Sequence, residues 1–203
     1  ALSEIADPDD HGAIPELFVA LAETIGLALG PSLASLGVTK KERIDPRGAP
    51  PIRVAIAEWT GALGLTEWEL YVGGTDANGV NGVAGEIPTI VVGANIKTPL
   101  TPAARSAIAR EVFALRRGIT SLRHRDDATV SSLVVAACQE AGITMPNPPY
   151  AIFGEVQRSV HKEISRKVRK LLPDAAQRVA GSRQDAATWA PAARRSIDRM
   201  AVI

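Results

Sequence analysis

The sequence predicts an α+β fold that is mostly helical, with a small antiparallel sheet of two or three strands around residues 67–93. Three observations predict it. Apolar residues recur at three- and four-residue steps in several separate stretches, which is the period of a helix face. In the middle of the chain the period changes to alternation, as in Trp68-Glu69-Leu70-Tyr71-Val72, which is the period of a strand. Hydrophobic residues fill 46% of the 203 positions and charged residues 22%, so a substantial core can be buried. Aromatic residues are only 4%, which leaves Ala, Val, Leu and Ile to build most of that core.

The elements follow in order. Residues 1–12 are polar, and Asp7, Asp9, Asp10 and His11 read as solvated or helix-capping groups rather than as a metal-binding tip. Pro15 suits the first turn of a helix. Ile14, Leu17, Phe18, Leu21, Ile25 and Leu29 then share one helical face, ending near Pro31. Residues 40–51 hold charges, Gly48 and three prolines, and read as a loop or linker. Ile52, Ile56, Trp59 and Leu63 mark a second helix over 52–65, closed by Gly64. After the strand at 68–72, residues 73–85 carry Asn78-Gly79 and Asn81-Gly82, both turn signals. A short apolar strand follows at 88–92. No Gly-Lys-Ser/Thr or G-x-G-x-x-G accompanies the glycines, so turns outweigh a phosphate cradle.

From Thr101 the pattern is helical. Thr101-Pro102 supplies a cap and first turn, and Ala107, Ile108, Val112 and Leu115 form a stripe. Further helices are predicted over 126–141, over 155–172 with Val156, Val160, Ile164, Val168 and Leu171 as its stripe, and over 186–200. The whole reads as one domain, 1–203, with an N-terminal helical segment and linker over 1–50 and a core over 51–203. The ending Ala201-Val202-Ile203 falls in mid-pattern, as in a piece of a longer protein.

Composition narrows the function classes. A net charge of +1 argues against a dedicated nucleic-acid binder. The single cysteine, Cys138, excludes an intrachain disulfide framework and fits a reducing, cytoplasmic setting. The start has no basic and apolar regions of a signal peptide. The longest uncharged run, 24–39, contains Gly30-Pro31 and falls short of the roughly 20 residues a membrane span needs.

The order of elements then matters. Two helices lead into strands that pass through Asn81-Gly82-Val83-Ala84. A short loop opens a helix over 101–118 that contains Arg110-Glu111-Val112-Phe113-Ala114. The last helix carries Arg194-Arg195-Ser196-Ile197-Asp198-Arg199. Over roughly 52–203 this order resembles the zinc metallopeptidases of the CAAX-prenyl-protease class, and degenerate domains of that type in large bacterial multidomain proteins. The resemblance implies a His-Glu-x-x-His motif at 110–114 and a third ligand four residues before Asp198-Arg199. The three ligand positions therefore fall on Arg110, Ala114 and Arg194. Glu111 matches the general base. A guanidinium is a permanent cation without an acceptor and a methyl group offers no lone pair, so none of the three can hold zinc. What the resemblance implies is a catalytically inactive scaffold with no metal and no cofactor, which acts on a protein partner by contact.

Other readings stand beside it. The helix over 101–118 also reads as an ordinary amphipathic helix with Glu111 on its surface. A divergent enzyme could use Glu111 in an anion-binding cleft with Arg110 and Arg194, although arginines so close would lower the carboxyl pKa and weaken the base. Cys138 could act as a nucleophile with His124 or His161, but its apolar neighbours favour a packed thiol. His124, Asp126 and Asp127 could bind a metal, but a capping loop explains them better. Arg158, Lys162, Arg166, Lys167, Arg169 and Lys170 form a basic set on the helix over 155–172. It reads as a solvated face or as a contact for an anion or an acidic protein partner, and it lacks the interleaved aromatics that stack nucleic-acid bases.

Overall fold

Helix α1 (Ala13–Leu29) buries Ile14, Leu17, Phe18, Leu21 and Ile25 on one face and stops before Gly30-Pro31, as its periodicity predicts. It belongs to a computed structural model that describes residues 6–202, with seven α-helices, three short 3-10 helices and three strands among them. The fold is α+β and mostly helical, as the sequence predicts. Ile203, the last residue of the terminal pattern, lies outside the described residues.

Helix α2 (Pro51–Ala62) begins on proline and closes through Leu63 into Gly64, whose φ of +71° is the left-handed conformation that only glycine takes readily. Strands β1 (Glu69–Val72), β2 (Val80–Val83) and β3 (Thr89–Val92) then form one sheet in the order β1-β3-β2. The sheet is mixed, which corrects the antiparallel expectation. β2 pairs antiparallel with β3, but β1 pairs parallel with it. The physical reason lies in which strand needs cover. Thr89, Ile90, Val91 and Val92 are all buried, so β3 takes the centre. β2, with Asn81 and Gly82 in it, is only partly buried and takes an edge. The chain therefore passes from β1 to the far side before turning back between the two. The turn before β2 runs over 76–79, with Ala77-Asn78 at its centre and the Gly79 N–H donating to the Asp76 carbonyl at 3.3 Å, while Asn81-Gly82, also predicted as a turn, lies within β2.

Helix α3 (Pro102–Arg116) starts where Thr101 Oγ1 accepts the Ala104 N–H at 3.2 Å, and it packs on β2. A 3-10 helix (Thr120–His124) connects it to α4 (Asp127–Glu140), whose cap Asp126 accepts the Thr129 N–H at 2.8 Å. α4 is the central helix. Its run from Thr129 to Val134 is buried on every side, and it touches three of the helices that follow. A sequence with no charge between Ala128 and Cys138 can sit there, because it has no polar face to keep in water.

The predicted helix over 155–172 is two helices, α5 (Phe153–Glu163) and α6 (Arg166–Gly181). Ser165 breaks it by taking extended backbone and accepting the Val168 N–H at 3.3 Å, which makes it the N-cap of α6. Val156, Val160, Ile164 and Val168 remain buried across the break. Beyond it the buried position moves to Leu172, and Leu171 turns outward. Helix α7 (Ala186–Arg199) closes the domain on α4, with Trp189 fully buried against Phe18 of α1 at a ring-centroid distance of 4.7 Å.

Asp7 and Asp10 are buried, which corrects the sequence reading for those two, while Asp9 and His11 are exposed. The Asp7 carboxylate is buried. It accepts hydrogen bonds from Arg195 at 2.8 and 3.2 Å and lies 3.0 Å from Arg199. The Arg195 hydrogen bond, above all, holds its carboxyl down at about 2. Asp10 has a fully buried side chain whose Oδ1 accepts from Arg117 at 2.8 Å and from the Trp189 indole N–H at 2.9 Å. Residues 7–10 are thereby bolted to α7 and to the end of α3.

Candidate functional site

Glu111 is the centre of the candidate site. Helical spacing turns Ile108, Val112 and Leu115 of α3 into the core, and Glu111 toward β2. The approach is close because residue 82 is glycine. A β-carbon there would stand 3.0 Å from Glu111 Oε2 and 3.1 Å from the Thr120 methyl. The Gly82 N–H donates to Glu111 Oε2 at 3.0 Å, and Arg123 donates to Oε1 at 2.5 Å. The Glu111 side chain is 8% exposed and the Arg123 side chain 28%. This one carboxylate joins the edge strand, the helix and the 3-10 segment.

Burial pushes the Glu111 carboxyl above its ordinary value, against the opposing pull of Arg123, the Gly82 N–H, His124 and Arg110. The expectation that nearby arginines would lower it is therefore corrected. Loss of solvation outweighs the cations, of which the closest, Arg123, is itself partly in water.

The three would-be ligand positions differ in their surroundings. Ala114 is fully buried in the core. Arg110 is partly buried, and its Nε finds no partner among the described residues. Arg194, on α7, turns its donors to the Leu122 carbonyl at 3.1 Å, the Arg125 carbonyl at 2.6 Å and Asp127 at 2.7 Å. It closes the end of the 3-10 helix, where a cation meets the terminal carbonyls. Arg194 and Glu111 thus share a neighbour, the segment 120–127, but not a contact. Two guanidiniums and a methyl group do not fit a divalent cation. Among the described residues no three His, Cys, Asp or Glu side chains gather in a group.

The remaining candidates separate as well. His124 is exposed, Asp126 caps α4 and Asp127 pairs with Arg194. Cys138 is buried, which pushes its thiol up to about 11. At neutral pH it is protonated and shielded, the opposite of a nucleophile. Its labelling by iodoacetamide under native conditions is expected to be slower than in denaturant by at least about a hundredfold, following the fraction of opened molecules. Equal rates in both, read by intact mass, would contradict the packing.

The basic set is split between helices. Arg158 and Lys162 stand on α5, and Arg166, Lys167, Arg169 and Lys170 on α6, all exposed. Two of them have acidic partners: Arg169 bonds Glu140 at 2.5 Å, and Lys162 lies 3.0 Å from Glu163. The ion pairs of Asp7 and Asp10 were not legible in the sequence. Their partners Arg117, Trp189, Arg195 and Arg199 lie more than a hundred residues away.

Two of the surface grooves bear on binding. One, of about 710 Å³, lies between α2 and residues 98–100, lined by Val54, Trp59, Pro99 and Leu100 with Glu58 and Arg105 on it. The other, of about 510 Å³, lies between α1 and α6. Glu111 lines neither. Among the described residues no helix is long and apolar enough to cross a membrane. Comparison with protein-family models, with curated proteins and with solved structures gives no match to this chain.

Proposed function

We propose that this chain is a catalytically inactive, metallopeptidase-like scaffold that works by binding another protein. One observation carries the reading: the Glu111 carboxylate, the group that matches the general base, is buried with one oxygen on the Gly82 N–H and the other on Arg123. A general base must reach a water or substrate proton within hydrogen-bond distance. This one faces its own strand and its own arginine, and it holds elements together instead. The same observation weighs against a divergent enzyme, whose cleft would have to open onto Glu111. Two apolar grooves on the surface supply contact area for a partner. The buried, protonated Cys138 is compatible with a reducing compartment such as the cytoplasm.

The test is metal content and hydrolysis on one preparation. Protein purified from zinc-supplemented medium is expected to carry far less than one zinc per chain, and to leave unstructured and prenylated peptides uncut. One tightly held zinc per chain, or hydrolysis abolished by Glu111→Gln, would overturn the proposal.

A further inference from the structure

We propose that the groove between α1 and α6 receives a basic amphipathic helix of the protein partner, an inference that rests on the interaction role above. Its lining mixes apolar and charged side chains, and two of the apolar ones stand open. Val19 of α1 is 43% exposed and Leu171 of α6 is 56% exposed. Single exposed apolar residues are ordinary. Here two of them border one groove of about 510 Å³, whose lining also includes Val168 and Ala175. Leu171 stands there because of the break at Ser165, which moves the buried position to Leu172 and leaves Leu171 at the surface.

Charge selects the occupant. Of the groove's charged groups, Glu16 and Arg178 satisfy each other at 2.7 Å. Three carboxylates remain, Glu23, Glu86 and Asp174, against one ammonium, Lys167. Among the described residues Glu23 accepts one long 3.5 Å bond, from the Ser165 hydroxyl. An apolar ridge flanked by Lys or Arg complements that rim, and a ridge flanked by Glu is repelled. Shape selects a helix. The groove is a trough between two helices, with Val19 on one wall and Leu171 on the other as exposed apolar anchors, into which an amphipathic helix lays its apolar face. The lining runs from Glu16 to Glu23 on α1 and from Lys167 to Arg178 on α6, walls of roughly 11 and 17 Å, enough for about two to three turns of a partner. The larger groove beside α2 holds one acid and one base, Glu58 and Arg105, so its charge selects no occupant.

The experiment uses two fluorescein-labelled 18-residue helical peptides with the same leucine face, one flanked by lysine and one by glutamate, titrated with the whole chain at physiological salt. Anisotropy is expected to show saturable one-to-one binding of the lysine peptide, and binding at least about tenfold weaker for the glutamate peptide. Leu171→Glu, and separately the pair Glu86→Lys with Asp174→Lys, are each expected to weaken the lysine peptide at least about tenfold, the scale of an anchor loss. Val54→Glu in the other groove is expected to leave it unchanged, and circular dichroism checks that each variant is folded. Equal binding of both peptides, indifference to Leu171→Glu, or loss with Val54→Glu would overturn the assignment. So would a dimer in sedimentation that Leu171→Glu dissolves, because a second copy would then cover the groove. Any of these with a zinc-free, inert protein sinks the groove alone. Stoichiometric zinc with hydrolysis sinks the scaffold reading, whatever the peptides do.

Discussion

Asp10→Ala is expected to lower the thermal unfolding midpoint by about 10 °C. The aspartate is fully buried, and its Oδ1 holds both the Arg117 guanidinium and the Trp189 indole N–H. Truncation removes the acceptor and leaves a largely buried cation and a buried donor without partners. Breaking a buried pair from one side in this way destabilises by about 3–5 kcal/mol. For a domain of this size each kcal/mol moves the midpoint by roughly 2–4 °C. The loss is the larger because Trp189 packs on Phe18, so the same lesion loosens the contact between α7 and α1. Asp10→Asn keeps an acceptor for Trp189 and is expected to fall between the two. Calorimetry checks both. An alanine variant that melts within about 2 °C of the parent would show that Arg117 and Trp189 find other partners or water.

Glu111 gives the second large effect, and its sign depends on pH. Because burial raises its carboxyl above the ordinary value, the folded chain holds this proton more tightly than the unfolded chain. The stability linked to the group is therefore fully present below the unfolded value and is lost as pH rises through the higher folded value. Glu111→Gln removes the charge and keeps an acceptor for the Gly82 N–H. Its stability relative to the parent is expected to improve as pH rises from about 5 to 8. Glu111→Ala also removes the acceptor. It orphans the Gly82 N–H and strips Arg123 of its partner, for an expected loss of about 2–4 kcal/mol. Urea unfolding of the three proteins at several pH values checks the pattern. A parent that gains on the glutamine variant as pH rises would show that Arg123 and Gly82 outweigh desolvation.

The two sites differ in how much of them the sequence reveals. Glu111 is conspicuous as a lone acid among Ile108, Val112 and Leu115, in a helix beginning at a clear Thr-Pro cap. Its partner strand is masked, because Asn81-Gly82 carries the local signature of a turn and becomes an edge strand only by pairing with β3. Asp10 is inconspicuous, since an acid in a polar stretch near a chain start is usually solvated. Leu171 is misread in the opposite direction. Its spacing from Val168 and Ile164 is helical, but the hydroxyl of Ser165 stops one helix and starts another, and the buried position moves to Leu172. Caps are short-range and legible when a Pro or Gly accompanies them. A lone serine in a charged run is not.

By itself the sequence determined the class of the fold, the positions of α1 to α4 and α7, and the two apolar strands. Those follow from periodicity, caps and side-chain chemistry, all of which act within a few residues. Tertiary structure alone decided that β1 runs parallel to β3, that Glu111 is buried between Gly82 and Arg123, that Asp7 and Asp10 clasp α7, and that Leu171 faces an acid-rimmed groove. Each of these joins groups far apart in the chain. Burial and pairing, which set the protonation of an acid and the exposure of a leucine, come into being only when those distant groups meet.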